Sequence, residues 1–329
     1  MINKIKKTSF IILPIALGVF LIWHSLSKLT SNDIESITNS FKTANYWWVG
    51  LSLLLGILSH FSRAYRWHFM LEPLGYKPRY ANSVMAVLIA YLLNLFIPRS
   101  GEIARAASVK KYEDIPFEKA FGTIVAERVT DVIMLFMIIT IAFFLQANLL
   151  SSYLLKEDEG NNNIYLKIFL FGVLPIIGII AYRYFKKSKN QYITKIITFI
   201  TGLIDGATSI LTMKKKWEFI FHTIFIWGMY VLMFYAVTFA LPETSNLPFA
   251  AIIVGFVVGG LSMALTNGGL GSYPVFVASA LVLYNVDNNA ALAFGWIMWT
   301  AQTIMVILFG CLSLLLIPIY NKYKKTKIS

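Results

Sequence analysis

Long apolar runs separated by short polar segments follow one another along almost the whole chain. Most of these runs approach the ~20 residues that an α-helix needs to cross the hydrocarbon core of a membrane. They lack the alternation of apolar and polar positions that is typical of outer-membrane β-barrel strands. The pattern therefore predicts an all-α integral membrane protein, folded as a helical bundle with six to eight membrane segments.

Six runs are long enough to be full spans, and two shorter ones are ambiguous. The predicted spans cover residues 9–26, 47–63, 117–146, 164–184, 217–241 and 290–320. The ambiguous segments are 80–97 and 247–284. Each could be a re-entrant hairpin or a short span.

Loop charge orients these segments, because Lys and Arg accumulate on the cytoplasmic side of membrane proteins. Basic residues cluster at positions 4–7, 63–79, 186–216 and 322–327, which the rule places inside. The loops QANLLSSYLLKEDEGNNN, LPETSN and YNVDNN are acidic or neutral and are expected outside. Both chain termini are then cytoplasmic.

The number of membrane crossings agrees with these loop assignments only if each ambiguous segment returns to the side from which it came. Segment 80–97 would enter from the cytoplasm and return near PRSGE, and segment 247–284 would enter from outside and turn at TNGGLGSYP. Two full crossings are the alternative for the second segment. A span, a hairpin and a span would then occur twice in opposite orientation, the inverted repeat typical of secondary transporters.

Residues 189–216 carry an amphipathic stripe between lysine-rich flanks. A helix lying at the cytoplasmic interface and a connector packed on the bundle explain the stripe equally well. Otherwise the chain indicates a single polytopic membrane domain over residues 1–329.

Composition supports the membrane class and limits the chemistry. Hydrophobic side chains make up 57% of the 329 residues and charged ones 14%, whereas soluble domains carry about 25% charged residues. The net charge of +13 is explained by cytoplasmic loop bias rather than nucleic-acid binding. One cysteine and four scattered histidines show no metal-ligand spacing. The sequence therefore predicts no metal, no cofactor and no catalytic residue.

Charged residues concentrate in two segments that border membrane runs. NLFIPRSGEIAR supplies Asn94, Arg99, Glu102 and Arg105, and VAERVTDVI supplies Glu127, Arg128 and Asp131. Ionisable residues at membrane depth usually face a wet cavity or pair with each other, and arginine forks match phosphate oxygens. These residues could bind a lipid head group; alternatively, the arginines are interfacial anchors beside a structural network. The spacing alone leaves both interpretations open.

The segment NGGLGS supplies Asn267, Gly268, Gly269 and Gly271. Three glycines allow close approach of a ligand to the backbone, but they also allow a tight turn and close helix packing. A nucleotide-binding loop is disfavoured, because the spacing and the βαβ context are absent.

The chain resembles the flippase-like transmembrane domain of the bacterial lysylphosphatidylglycerol synthases, which are also called multiple peptide resistance factors. The resemblance rests on three segments in this order: NLFIPRSGEIAR, AFGTIVAERVTDV and NGGLGS. The resemblance covers essentially the whole chain. It maps the family's P-x-x-G-E-x-x-R onto Pro98, Gly101, Glu102 and Arg105. Two positions depart from the pattern: Asn267 stands where a Pro is frequent, and Pro274 where a Glu is frequent.

The resemblance implies a multi-pass protein of the bacterial inner membrane that moves a lipid between leaflets. The lipid would be anionic, aminoacylated or linked to polyprenyl phosphate. The chain ends at YNKYKKTKIS without the soluble aminoacyl-transfer domain of the synthases, so lysyl-lipid synthesis is not expected.

Two alternatives to a translocase remain. One is a non-transporting partner subunit of a lipid or envelope biosynthesis complex; the other is a lipid-modifying transferase. The transferase is disfavoured because the chain shows neither a donor-binding domain nor a nucleophile beside a histidine. A homo-oligomer is compatible with each function.

Overall fold

The computed structural model describes residues 16–27, 29–146 and 213–328, together with isolated positions between 180 and 210. The regular elements of the three long ranges are helical. We number the helices there as α1 Ala16–Leu26, α2 Ser31–Thr43, α3 Tyr46–Leu71, α4 Tyr80–Phe96, α5 Ser100–Glu113, α6 Phe117–Leu145, α7 Lys216–Thr238, α8 Phe249–Leu265, α9 Ser272–Val282 and α10 Asn288–Ile328.

The chain divides into two compact units. The first contains Met1–Glu127 and Trp217–Ser329, and the second contains Arg128–Lys216. The core of the first unit lies among α7, α8, α9 and α10, where the rings of Phe234 and Phe294 meet edge-on at 5.1 Å. In the second unit, the described part of α6 buries Ile138 and Ala142.

Three helices, α6, α7 and α10, are long and apolar enough to cross a membrane. They correspond to the predicted spans 117–146, 217–241 and 290–320, so the chain is a helical membrane protein. The predicted span 9–26 is described from residue 16 onward, as α1. The predictions for 164–184 and 189–216 lie outside the described residues, apart from isolated positions.

The end of α3 corrects the loop assignment made from charge. The helix continues to Leu71, beyond the predicted limit at residue 63, and Arg63 and Arg66 are 2% and 0% exposed. The prediction that Arg66 lies in a loop after the span is therefore wrong, and Arg63, the last residue of the predicted span, lies within a longer helix. They stay in the helix because a carboxylate from another helix compensates their charge, as described below.

The first hairpin differs in its extent from the expectation. Segment 80–97 is one unbroken helix, α4, and the returning limb is α5. Gly101 lets α5 approach closely, because a Cβ there would collide with the carbonyl group of Ala90. The side chain of Asn94 accepts a hydrogen bond from the Gly101 N–H at 2.8 Å and donates one to Glu102 at 3.3 Å. We call these two hydrogen bonds the Asn94 clip. The first of them satisfies a backbone N–H that the start of a helix leaves without an intrahelical partner.

The second hairpin consists of α8 and α9, with a break at residues 266–271. Gly268, Gly269 and Gly271 have φ angles of 62°, 77° and 70°, a region that favours glycine. At 1.5 Å per residue, α8 is about 26 Å long and α9 about 17 Å, both shorter than the ~30 Å hydrocarbon core. Their lengths favour a re-entrant hairpin, which remains a prediction.

The tips of the two hairpins meet. We call residues 95–101 tip 1 and residues 266–271 tip 2. A Cβ added to Gly268 would lie 2.7 Å from Cδ2 of Leu95, which is in the last turn of α4. The indole N–H of Trp299 on α10 donates to the Gly268 carbonyl at 2.8 Å. Tip 2 is thereby held between the end of α4 and α10.

A hydrogen bond joins α2 to the start of α10 and makes the stability of the fold depend on pH. The Asn289 amide donates to Asp33 at 2.8 Å, and this bond, with those from Thr30, lowers the pKa of the Asp33 carboxyl below its usual range. A lowered folded-state pKa gives stability that is present above about pH 4 and lost as the pH falls through that pKa. Asp33→Ala should lower the melting temperature at pH 7 and weaken its acid dependence.

Thermal unfolding in detergent between pH 3 and pH 7 measures this effect. Glu35→Ala, which changes an exposed carboxylate on the same helix, is the matched control. Identical acid profiles for Asp33→Ala and the unmodified protein would contradict the assignment.

Candidate functional site

One buried carboxylate holds three arginines in the first unit. Arg63 Nη1 lies 2.7 Å and Arg66 Nη2 3.0 Å from Glu127 Oε1, and Arg105 Nη2 lies 3.0 Å from Oε2. Glu127 is 1% exposed, and the arginine side chains are at most 3% exposed. We call these four residues the arginine–glutamate network. It joins α3, α5 and the first part of α6.

Neighbouring side chains fix the orientation of two of the guanidinium groups. Arg66 donates to the Thr223 hydroxyl at 2.9 Å and lies over the Phe219 ring at 5.2 Å, both on α7. Arg105 lies over the Trp67 ring at 3.9 Å, and the Trp67 indole donates to Thr123 at 2.8 Å. Stacking on aromatic faces adds attraction in a dry environment, where a cation–π contact contributes about 2 kcal/mol.

The electrostatics of the network depend on pairing. An isolated charge transferred from water to a low-dielectric interior costs far more than folding can supply, so buried charges are paired. Glu127 Oε1 accepts a hydrogen bond from Arg63 and lies 3.0 Å from Arg66, and Oε2 lies 3.0 Å from Arg105, so one carboxylate is the counter-ion of all three guanidinium groups. Removing one partner of such a network leaves a buried charge exposed to this penalty, about 3–5 kcal/mol.

The network continues through two tyrosines toward the first hairpin. Arg63 Nη2 donates to the Tyr230 hydroxyl of α7 at 3.4 Å, and that hydroxyl shares a hydrogen bond of 3.0 Å with Tyr91 of α4. Polar contacts thus connect α3, α4, α5, α6 and α7.

The sequence-predicted site residues fall into different environments. Arg105 and Glu127 are brought together in the network. Arg99 is exposed, with a φ of 65° at the start of α5, whereas Glu102 is half-buried beside Asn94. A non-glycine residue in this left-handed region costs on the order of 1–3 kcal/mol, and such strain clusters at functional sites.

The remaining charged residues of the motif lie in the second unit. Arg128 Nη1 is 3.4 Å from Asp131 Oδ2, as the i, i+3 spacing predicted. Their side chains are 41% and 11% exposed, so this pair is more accessible than the arginine–glutamate network.

The glycine-rich segment forms tip 2. The Gly268 carbonyl accepts from Trp299, and a Cβ on Gly271 would collide with the backbone of Gly18 on α1. The backbone of Asn267 lies in the same turn. These glycines serve close packing of the tip, and their predicted contact with a substrate remains a prediction.

Sequence reasoning missed Arg63 and Arg66 as site residues. Both were counted as loop charge because they follow the apolar run of α3. One signal was available: the two arginines are three residues apart, with Ala64 and Trp67 beside them. This spacing puts both arginines on one side of a continued helix.

Comparison with known proteins identifies the family. The profile described as the lysylphosphatidylglycerol synthase TM region matches residues 11–310. A UPF0104 membrane protein of Methanocaldococcus jannaschii is 24% identical over 356 residues, covering 98% of this chain and 99% of that protein. No solved structure matches the chain.

Replacing the shared carboxylate tests the electrostatic account of the network. Glu127→Gln removes the negative charge from beside three buried arginines while keeping the side-chain shape. We expect a loss of stability of about 3–5 kcal/mol, seen as a lower melting temperature in detergent. The matched control Glu102→Gln changes a half-buried carboxylate and should cost about 1 kcal/mol or less. Equal melting temperatures for the two variants would refute the account.

Proposed function

This protein belongs to the lysylphosphatidylglycerol synthase transmembrane-region family, and we propose that it is a lipid translocase. In this proposal it moves a lipid with a phosphate-bearing head group, aminoacylated or polyprenyl-linked, between the leaflets of the cytoplasmic membrane. The matched family profile describes the transmembrane region alone.

The observation that carries the proposal is the arginine–glutamate network. Arg63, Arg66, Arg105 and Glu127 are all buried in a protein built from apolar helices. Ionisable residues at membrane depth are costly, and they usually mark substrate or ion pathways. Glu127 lies about 15 Å along α6 from its first residue, well inside the span.

The geometry suggests how a head group would bind. A carboxylate and a phosphate both present oxygens that match the donor fork of arginine. The Glu127 carboxylate therefore occupies a position that a lipid phosphate could take when the helices separate. In this mechanism the phosphate binds Arg63 and Arg105 as a second anion while Glu127 keeps Arg66, so that neither a guanidinium nor the carboxylate is left without a partner in either state.

The two hairpins supply the moving parts. Transporters bind their substrates near the membrane midplane, where short or interrupted helices meet. Tip 1 and tip 2 meet through Leu95 and Gly268, and the Asn94 clip connects α4 to α5. Because α5 carries Arg105, separation of the tips would be transmitted directly to the network.

Exposed tryptophans mark the starts of two long helices. Trp47 and Trp217 are exposed near the first residues of α3 and α7. Tryptophan is enriched at membrane–water interfaces on both sides. With both termini in the cytoplasm, α3 begins at the outer surface and α7 at the inner one.

A partner subunit without transport activity is the second candidate. The nearly complete burial of the network favours it, because a network that only stabilises the fold needs no access for a ligand. The two candidates predict different consequences for conservative substitutions.

Lipid transfer in proteoliposomes tests the translocase. Labelled phosphatidylglycerol, phosphatidylethanolamine and polyprenyl phosphate would serve as probes, and transfer is read by a membrane-impermeant quencher. The unmodified protein should move at least one phosphate-bearing probe. Arg105→Lys keeps the charge but loses the forked donors, so we expect it to retain the fold and lose most of the transfer rate.

Lys110→Ala on the exposed end of α5 is the matched control and should transfer at the unmodified rate. Transfer of none of the probes by folded, unmodified protein would refute the translocase and favour the partner subunit. Unchanged transfer by Arg105→Lys would remove the network from the mechanism.

A cross-link between the hairpin tips tests whether they move. A Cβ at Gly268 would lie 3.9 Å from Cα of Leu95, so cysteines at these two positions would be close neighbours and can be tested for disulfide formation. Cys311 is the chain's single cysteine, so Leu95→Cys with Gly268→Cys can be made in a Cys311→Ser background. We expect oxidation to stop lipid transfer and reduction to restore it. Full transfer by the cross-linked protein would show that the tips do not separate.

A further inference from the structure

We propose that His60 binds the proton that is carried together with the anionic lipid, so that translocation is driven by a proton gradient. The inference rests on the proposed translocase function and adds its coupling ion. It comes from the surroundings of one buried histidine.

His60 differs from the neighbouring histidines in its hydrogen bonding. It lies on α3, is 5% exposed, and within the described part of the chain its Nδ1 has no hydrogen-bond partner. His68 and His222 lie 3.0 Å and 2.8 Å from the hydroxyls of Ser83 and Ser62. A buried polar atom without a protein partner is rare and calls for a functional explanation.

A continuous path leads from His60 to the network. The imidazole packs on the Tyr91 ring with centroids 4.2 Å apart, and the Tyr91 hydroxyl bonds to that of Tyr230 at 3.0 Å. Arg63 donates to Tyr230 at 3.4 Å and to Glu127 at 2.7 Å. Arg63 is also three residues from His60, one helical turn along α3.

The groups around His60 set the sign of the coupling. Among the described residues, Tyr91 of α4 contacts the imidazole and Arg63 of α3 lies one turn away, and Tyr230 of α7 is bonded to both of them. Helix α10 places the apolar Met305 against nearby Gly56. A protonated His60 and Arg63 would repel each other across one turn of α3. An additional anion on the arginines would reverse this balance.

The proton and the lipid therefore stabilise each other in the protein. A phosphate bound to Arg63 and Arg105 makes protonation of His60 easier, and a protonated His60 strengthens phosphate binding. Linkage requires that each ligand raise the affinity for the other by the same factor. An anionic lipid and a proton then cross together with a smaller net charge than the lipid alone.

A combined measurement of lipid and proton movement tests the inference. Proteoliposomes would contain labelled phosphatidylglycerol or labelled polyprenyl phosphate, with the pH dye pyranine trapped inside. For the unmodified protein we expect an imposed pH gradient to speed lipid transfer at least threefold, and lipid transfer to change the internal pH. His60→Gln should still transfer lipid, but without response to the gradient.

The control is His68→Gln, on the same helix, in which lipid transfer should respond to the gradient as in the unmodified protein. If His60→Gln fails to fold, His60→Asn provides a second variant. Lipid transfer by the unmodified protein without pyranine response would overturn the inference and leave the translocase intact. An unchanged gradient response in a folded His60 variant would also overturn it. Absence of lipid transfer in the unmodified protein would refute the proposed function, and the inference with it.

Discussion

The structure depends on the attraction between one carboxylate and three guanidinium groups away from water. Arg63, Arg66 and Arg105 could not remain buried without an anion, and Glu127 supplies it at 2.7 to 3.0 Å. This requirement fixes α3, α5 and α6 relative to one another within the first unit. Because the Asn94 clip holds α5 against α4, the same charges also determine where the first hairpin lies.

Hydropathy was sufficient for those parts of the fold in which burial in lipid is the main constraint. It located α6, α7 and α10, whose apolar length is their defining property. It failed at the end of α3 and missed α5, because both contain charges that hydropathy counts as solvated. The sequence GEIARAASVKKYE has too few apolar residues to suggest a helix within a membrane protein, and close packing through Gly101 places it there.

The candidate site was predictable where its chemistry is local and unpredictable where it is tertiary. Arg128 and Asp131 pair as their spacing indicates, and the motifs pointed to Arg105 and Glu127. Arg63 and Arg66 could not be found in the same way, because their partner follows about sixty residues later in the chain. Arg99 and Arg105, both predicted as head-group ligands, met a similar limit, because Arg99 is exposed whereas Arg105 faces Trp67.

A closed network and a transport function are compatible if a second anion enters as the helices open. Opening the helices without a substrate would leave buried arginines short of an anion, at a cost of about 3–5 kcal/mol. A lipid phosphate entering between α3 and α5 would remove that cost, because it offers the same oxygen geometry as Glu127. In the proposed mechanism, the energetic difference between the empty and the loaded protein is therefore concentrated at the arginine–glutamate network. Such a protein would resist opening without cargo, which protects the membrane from leakage through a polar path.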